Sequence, residues 1–381
     1  MINLNEKTGK ELLELYFKMV DQETGDIPPE ELGKAMAYLT TAADKGLPEA
    51  WAELGACYYN GIGVGKDEVK AFQYLEKAAL RDIANAQMNI YSIMWQNASS
   101  DEDKRNALYW LEKAVDHNVV SALFETGSLY YNGLAYKQSF DKAAEYYKRA
   151  CDAGSAEAMA MLGNMYQNGL SFQRDLEKAA KYYTGAAEKG SLSGIFYLGI
   201  AYMGGLGVEQ DYYEAMECFS TIVDLEEPFY LLPDLNDAKT RSDIALTFHA
   251  IAVYDMVYPM SHHNIGVIYQ QGLGVDEDKS QALYHYMLAA ENGYGPSCLQ
   301  AGTMLYAGEG HEADYNKAFE YLTAALNAGV NEAKLCLGVM YFYGEGAVKD
   351  TEKGIALLDE LITAGNVEAI KVKNDLLRKS N

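Results

Sequence analysis

The amino-acid sequence predicts an all-α solenoid, a right-handed superhelix of 36-residue helix-turn-helix repeats. Three observations predict it. An apolar position recurs every 36 residues, a glycine follows it at seven residues, and an aspartate follows that glycine at six residues. The period is interrupted once, because Leu198 and Ile265 are 67 residues apart, which is one period and an insertion of 31 residues. A repeating architecture also suits a chain of 381 residues, since single compact cores stop growing at about 250–300 residues.

The first helix of each repeat, helix A, is predicted around the recurring apolar position, which we call the anchor. A small residue stands four positions before it and usually a tyrosine four positions after it, so the three form one apolar helix face. In seven of the eight repeats the residue directly after the anchor is glycine, which predicts the close approach of a second helix. The anchors are Leu54, Ile90, Thr126, Leu162, Leu198, Ile265, Ala301 and Leu337.

The second helix, helix B, is predicted from its two ends. Helix A should stop at a residue that accepts positive φ, which is Gly61 in the first full repeat and Asn97 in the one repeat without glycine. Helix B should then begin after an N-cap and stop at a second residue suited to positive φ, such as Asp82. The expected N-caps are Asp67, Asp103, Ser139, Asp175, Asp211, Asp278, Asp314 and Asp350. A column of small residues, Ala71 to Gly354, should face helix A.

A single solenoid domain is expected over residues 1–381. It would comprise a degenerate N-terminal repeat at 10–46, five repeats at 47–223, a helical insertion at 224–258, three repeats at 259–365 and a capping helix at 366–381. The insertion should contain a helix from Asp237 to Met256. It is interpreted either as an extra helix that covers the solenoid or as a docking or dimer element. In the second case the candidate docking residues are Phe229, Tyr230, Leu231 and Leu232.

One copy of the pattern resembles a known family. The series Leu54-Gly55, Tyr58, Gly61-x-Gly63-Val64, Asp67, Lys70-Ala71 and Tyr74 is similar to the Sel-one-like repeat (SLR), a relative of the tetratricopeptide repeat. The copy at 86–118 departs from it by lacking the Gly-x-Gly-Val turn. The resemblance implies a non-enzymatic scaffold or adaptor. It also implies an alternative, because a β-lactam-hydrolysing activity is ascribed to cysteine-rich relatives.

A partner-binding surface is expected on the helix A face that the apolar stripe leaves uncovered. The resemblance to Sel-one-like repeats implies that the A helices line the concave side of the solenoid. This face would therefore hold a peptide or protein partner. Amide side chains suit this role because they donate and accept hydrogen bonds to a peptide backbone. For the asparagines just before a turn glycine, ending the helix is the competing interpretation. The residues are Asn60, Asn89, Gln96, Asn132, Asn164, Asn168, Asn264, Gln271 and Gln300.

The amino-acid composition limits the kinds of partner that are expected. The net charge of −24 argues against nucleic acid and anionic lipid, and it is explained either by solubility or by attraction of a basic protein partner. No signal peptide or apolar run long enough to span a membrane is seen, and no repeat contains two cysteines. A cytoplasmic location is therefore expected. The oligomeric state cannot be read from the sequence.

No catalytic residue, cofactor or metal site is expected. The glycines from Gly61 to Asp67 look like a phosphate loop but follow a helix and lack the required spacing. His262 and His263 are predicted to open a helix, with His249 and His285 as possible neighbours. Adjacent helical residues point about 100° apart, so surface or capping roles are preferred to a shared metal site.

Overall fold

The computed structural model describes residues 4–20, 29–225 and 244–379. Within these ranges it contains a short 3-10 turn, Leu4–Glu6, nineteen α-helices and no β-strand. The first twelve helices are α1 Gly9–Val20, α2 Pro29–Asp44, α3 Pro48–Asn60, α4 Glu68–Ala79, α5 Ala84–Gln96, α6 Asp101–Asp116, α7 Val120–Asn132, α8 Phe140–Asp152, α9 Ala156–Asn168, α10 Leu176–Glu188, α11 Leu192–Gly204 and α12 Tyr212–Val223. The others are α13 Ile244–Gln271, α14 Lys279–Glu291, α15 Gly295–Ala307, α16 Tyr315–Asn327, α17 Ala333–Tyr343, α18 Thr351–Thr363 and α19 Val367–Lys379. The predicted all-helical fold is confirmed.

The chain forms two compact units. The first comprises Met1–Tyr197 and Glu226–Tyr254, and the second comprises Leu198–Leu225 and Asp255–Asn381. Each unit is built from antiparallel helical hairpins in which an A helix is followed by a B helix. The pairs α3 and α4, α5 and α6, α7 and α8, and α9 and α10 belong to the first unit. The pairs α15 and α16, and α17 and α18, belong to the second.

Glycine allows the two helices of a hairpin to touch. A Cβ atom placed on Gly163 in α9 would lie 2.6 Å from Tyr183 Cε1 and 3.2 Å from the Ala179 carbonyl oxygen in α10. The same fit occurs at Gly127 and Gly266, each against a tyrosine of the following B helix. Protein interiors are packed too densely to admit the extra atom without movement. The close approach predicted after the anchor is therefore confirmed.

Helix ends follow the predicted turn chemistry in most repeats. Gly61 has φ 74° and donates its backbone N–H to the Cys57 carbonyl, while Asp67 accepts a hydrogen bond from the Lys70 backbone N–H at 3.0 Å. Seven of the eight predicted N-caps accept such a bond. At the far end of helix B, Asp82 has φ 67°. These turns leave few unsatisfied groups at the helix ends.

The hairpin α5–α6 is the exception, and two predictions for it were wrong. Asn97 has φ −91°, not a left-handed conformation. Helix α6 begins earlier than predicted, because Ser100 is its N-cap and Asp103 is the third residue of the helix. Ser100 Oγ accepts from the Asp103 N–H, and the Asp103 carboxylate accepts from the Ser100 N–H at 2.9 Å. This capping box satisfies two donors that the other repeats satisfy differently.

Helix α13 also differs from the prediction. A separate insertion helix ending near Met256 and a new helix opened by His262 and His263 were expected, but one helix runs from Ile244 to Gln271 with Pro259 inside it. Proline removes a backbone donor and usually ends a helix. Here both sides of it are packed, since Val257 and Ser261 are fully buried. The rest of the predicted insertion helix, residues 237–243, lies outside the described residues.

Candidate functional site

The predicted amide face lies on the A helices, and its members differ in exposure. Four of them are exposed: Gln96, Asn132, Asn168 and Gln271. Four are half-buried: Asn60, Asn164, Asn264 and Gln300. Asn89 is buried, with 2% of its surface accessible. The first unit contains six of the nine, on α3, α5, α7 and α9, and the second unit contains the other three.

Two exposed asparagines bind their own helix. Asn132 Nδ2 donates to the Ser128 carbonyl at 3.0 Å, and Asn168 Nδ2 donates to the Asn164 carbonyl at the same distance. Both residues precede a turn glycine. The accepting carbonyls lie four residues back, where each already accepts the backbone N–H of the asparagine itself, so these bonds do not satisfy the unpaired carbonyls of the last turn. The helix-ending interpretation therefore rests on the position before the glycine. Asn168 Nδ2 also donates to Asn164 Oδ1 at 3.3 Å, and an amide side chain has four hydrogen-bonding positions, so neither side chain is saturated.

Neighbouring A helices in the first unit are linked by tyrosine hydroxyls. Tyr131 of α7 donates to Asn164 Oδ1 of α9 at 3.0 Å. Tyr91 of α5 donates to Glu125 Oε1 of α7 at 2.7 Å. Tyr91 is 2% exposed, and burial is the first cause of its raised pKa, followed by the charge of Glu125. These bonds connect successive repeats through the predicted face.

Sequence reasoning missed the carboxylates of this face. Glu53 and Glu125 stand one residue before their anchors, in the same column as Asn89. Glu53 is only 6% exposed and accepts a hydrogen bond from the Tyr16 hydroxyl at 3.1 Å. Their position one residue before the anchor is the sequence signal that marks them. The face therefore combines amides with acidic groups, in keeping with the acidic composition.

Asn89 binds a distant part of the chain. Its Oδ1 accepts a hydrogen bond from the backbone N–H of Ile244 at 3.0 Å. Ile244 has no accessible surface and joins an apolar cluster with Leu75, Ile90 and Ile93. Asn89 is thus part of the buried interior of the first unit. The predicted docking residues Phe229, Tyr230, Leu231 and Leu232 lie outside the described residues.

The histidines of α13 point to different partners, as their angular separation predicts, but the surface or capping roles expected for them were wrong, since both lie inside the helix and His262 is only 4% exposed. His262 Nδ1 lies 2.9 Å from His285 Nδ1, whereas His263 Nδ1 lies 2.8 Å from Ser297 Oγ. Burial lowers the pKa of His262 and of His263 to about 4, so both are neutral at pH 7. Among the described residues no group of three or more histidine, cysteine or acidic side chains could hold a metal ion. The side chain of His249 lies outside the described residues.

Two serine pairs have the residue types of a hydrolase but not the geometry. Ser297 next to His263 has no accessible surface, so a substrate cannot reach its hydroxyl. Ser139 and Lys142 have the Ser-x-x-Lys spacing of some serine hydrolases. Ser139 is an N-cap that accepts from the Lys142 backbone N–H, and Lys142 Nζ lies over the Tyr130 ring, 4.8 Å from its centre. Neither serine is placed as a nucleophile.

The cysteines and the glycine-rich turn are also structural. All five cysteines are free, and burial raises the pKa of each thiol, to about 12 for Cys57 and about 11 for Cys218. They are therefore poor thiolate nucleophiles. Gly61 to Asp67 forms the turn between α3 and α4, which agrees with its interpretation as a repeat turn. Among the described helices, none has the length and hydropathy required to cross a membrane.

The Sel1 repeat family model matches most of the chain. The matched segments are 22–47, 48–82, 98–119, 120–155, 156–191, 192–223, 259–294, 295–330 and 332–366. No curated protein sequence matches significantly. Among solved structures, a Sel1 repeat protein from Oxalobacter formigenes is 23% identical with a TM-score of 0.55, over 88% of both chains. A protective antigen of uropathogenic Escherichia coli with an SLR fold is 24% identical over all of this chain and 91% of that one, with a TM-score of 0.48. The chain therefore belongs to the Sel1 repeat family.

Proposed function

We propose that this protein is a non-enzymatic scaffold that holds a peptide or protein partner on the A-helix face of its first unit. Sel1 repeats are generally protein-interaction modules, and this chain carries nine matched segments. One observation supports the proposed surface most directly. Gln96, Asn132 and Asn168 occupy the same register of three successive A helices, and all three are exposed.

The spacing of these amides suits a peptide backbone. Each repeat presents one amide at the same height of its A helix, so a peptide lying across the A helices meets a donor and an acceptor at each step. Asn132 Nδ2 makes one hydrogen bond within its own helix and Asn168 Nδ2 makes two, and both side chains keep further hydrogen-bonding positions. Backbone recognition of this kind gives affinity without demanding a particular side chain.

The acidic composition favours a basic partner within this proposal. A net charge of −24 attracts basic partners and raises the rate at which they meet the surface. Glu125, half-buried beside Tyr91, contributes negative charge within the face itself. Five free thiols are consistent with a reducing compartment, so a cytoplasmic location is part of the proposal.

The experiment replaces Gln96, Asn132 and Asn168 together with alanine and measures capture of partners from the native cell by affinity pull-down. Loss of three hydrogen bonds at about 0.5–1.5 kcal/mol each should reduce affinity by about tenfold or more. The matched control changes two exposed amides on B helices, Gln73→Ala and Asn106→Ala, and should leave capture unchanged. Equal capture by the triple variant and the control, with melting temperatures unchanged, would refute the proposed surface.

A further inference from the structure

The turn between α17 and α18 departs from the other glycine turns at two neighbouring positions. Three residues after its left-handed glycine, Gly344, stands Ala347, the smallest residue at this register. The next residue is glycine or polar in the other glycine turns but is Val348 here, with 89% of its surface exposed. This turn has therefore lost a larger side chain and gained an exposed apolar one. The residues that correspond to Ala347 are Val64, Tyr136, Phe172, Val208, Val275 and His311.

Two turns of the first unit show what an aromatic side chain does at this register. Phe172 stacks on Tyr166 of α9 with ring centres 4.2 Å apart, and Tyr136 stacks on Tyr130 of α7 at 4.5 Å. Both stacks are nearly parallel, with interplanar angles of 12° and 18°. Each of these tyrosines stands four residues after its anchor, which is the register of Tyr341 in α17. An aromatic side chain at position 347 would therefore cover the Tyr341 ring.

A cleft of about 610 Å³ opens at this place. Its apolar lining includes Phe319 of α16, Tyr341, Ala347 and Val348, and we call it the Tyr341 cleft. Phe319 meets Tyr341 edge to face, with ring centres 5.3 Å apart and an interplanar angle of 89°. Phe319 thus does not replace the parallel ring of the other two turns. The volume lies within the roughly 300–1,000 Å³ of ligand-binding pockets, so the cleft has room for an aromatic side chain from another molecule.

The Tyr341 ring is held in the same way as the ring beneath Phe172. Lys353 Nζ lies 4.1 Å from the centre of the Tyr341 ring and donates a hydrogen bond to its hydroxyl at 2.8 Å. Lys178 Nζ lies 4.2 Å from the centre of the Tyr166 ring. A tyrosine ring fixed in this way favours a second ring over an aliphatic side chain, because stacked aromatic pairs gain energy beyond their burial.

Charge adds no strong preference at the Tyr341 cleft. Its charged lining residues are Lys349, Asp350, Glu352 and Lys353, two of each sign. The Asp350 carboxylate is already used as the N-cap of α18, where it accepts the Lys353 backbone N–H at 2.9 Å. The shape and the aromatic wall of the cleft therefore decide what it binds.

We propose that the Tyr341 cleft binds an aromatic side chain of a protein or peptide partner, in the place that Phe172 and Tyr136 fill within their own repeats. The ring of the partner stacks on Tyr341 and contacts Ala347 and Val348. The cleft belongs to the second unit and uses none of the three amides tested in the first. The proposal therefore goes beyond the proposed function and does not rest on it.

The test titrates two matched peptides, acetyl-Gly-Phe-Gly-amide and acetyl-Gly-Leu-Gly-amide, into the full chain and follows the Val348 methyl resonances by NMR. The phenylalanine peptide should shift these resonances and bind at least about threefold more tightly than the leucine peptide, because only a ring can stack on Tyr341. Ala347→Phe should weaken binding of the phenylalanine peptide by about tenfold or more, since a ring of the chain itself then competes for the place. The matched control is His311→Phe, at the same register of the preceding turn, where Leu305 stands in place of Tyr341. It should bind as wild type does.

Unchanged Val348 resonances with both peptides, or equal binding of the two by wild type, would overturn the proposal. Undiminished binding by Ala347→Phe would also overturn it, because the peptide would then lie elsewhere. An Ala347→Phe chain that does not fold would mean that this turn cannot hold a ring against Tyr341, with the same consequence. A wild-type solution mass of two chains that falls to one in Ala347→Phe would assign the cleft to a second copy instead of a partner.

This proposal and the proposed function can fail separately. Peptide binding that is lost in Ala347→Phe, with partner capture indifferent to Gln96, Asn132 and Asn168, would support the Tyr341 cleft and remove the amide surface. Partner capture that depends on the three amides, with no preference of the cleft for phenylalanine, would have the opposite meaning.

Discussion

The hairpins α9–α10 and α5–α6 have the same architecture but are closed by different chemistry. In α9–α10 the residue after the anchor is Gly163, and the bulky Tyr183 of helix B fills the space against it. In α5–α6 the residue after the anchor is Tyr91, and the corresponding helix B residue is the smaller Leu111. Leucine also stands opposite the glycine in other hairpins, as Leu75 does for Gly55 and Leu322 for Gly302, so the size of the helix B residue does not follow from the residue after the anchor. The comparison shows that this hairpin architecture does not require glycine after the anchor, because Tyr91 is buried at that position in α5.

The turns of the two hairpins also use different residues for the same task. Gly169 ends α9 with φ 68°, and Asp175 caps α10 by accepting a single backbone N–H. Asn97 follows α5 with φ −91°, and Ser100 and Asp103 cap α6 reciprocally. A capping box can thus start the second helix without the left-handed glycine turn.

The largest loss of stability is expected from Tyr91→Ala. Removal of a buried ring should lower the free energy of unfolding by about 3–5 kcal/mol, because Leu111 is too small to fill the cavity. Urea denaturation measures this, and Tyr109→Ala on the exposed side of the same hairpin should change it by less than about 0.5 kcal/mol. A small loss for Tyr91→Ala would mean that the hairpin does not depend on the buried tyrosine ring.

A smaller effect is expected from the opposite change, Gly163→Ala. The added methyl group would overlap Tyr183 and should lower the free energy of unfolding by about 1–3 kcal/mol. The penalty should shrink when Tyr183 is also changed to alanine, since the clash is then removed. A double-mutant cycle from denaturation curves measures this coupling. Strict additivity would argue against the contact between these two residues as the cause.

The smallest change in stability is expected at the capping box of Ser100 and Asp103, and it depends on pH. Hydrogen bonds from Ser100 and Ser99 lower the pKa of Asp103 below its ordinary value. A lowered pKa in the folded state means that the ionised carboxylate stabilises the fold above the unfolded-state pKa of about 4. That stabilisation is lost as the pH falls through the folded-state value. Asp103→Asn should therefore lower the melting temperature at pH 7.

The wild type and Asp103→Asn should converge in melting temperature as the pH is lowered toward 2, because the wild-type carboxylate is then neutral as well. The other acidic groups titrate in both proteins, so the difference between the two melting curves isolates Asp103. A difference that stays constant from pH 7 to pH 2 would contradict this account of the cap.

Local signals made most of the fold predictable. The glycine after the anchor, the left-handed glycine and the aspartate N-cap each act within a few residues, and they recur at the predicted positions in most repeats. The repeat pattern failed at Asn97 and Asp103, where the copy uses other residues for the same tasks. Ser100 before a run of acidic residues is a capping signal in the sequence, whereas the 36-residue register places the cap at Asp103.

The candidate site was less predictable because it depends on contacts between distant residues. Asn89 was predicted to bind a partner with the other amides of helix A, yet it is buried and accepts a hydrogen bond from the Ile244 backbone N–H. Helix α13 continues past Pro259, where a break was predicted, and Val257 and Ser261 on its two sides are fully buried. The sequence alone determined the helical hairpins and their ends, because propensity, capping and turn geometry are local. Only the tertiary structure decided which polar residues of the A helices remain exposed, because burial depends on what distant segments bring against them.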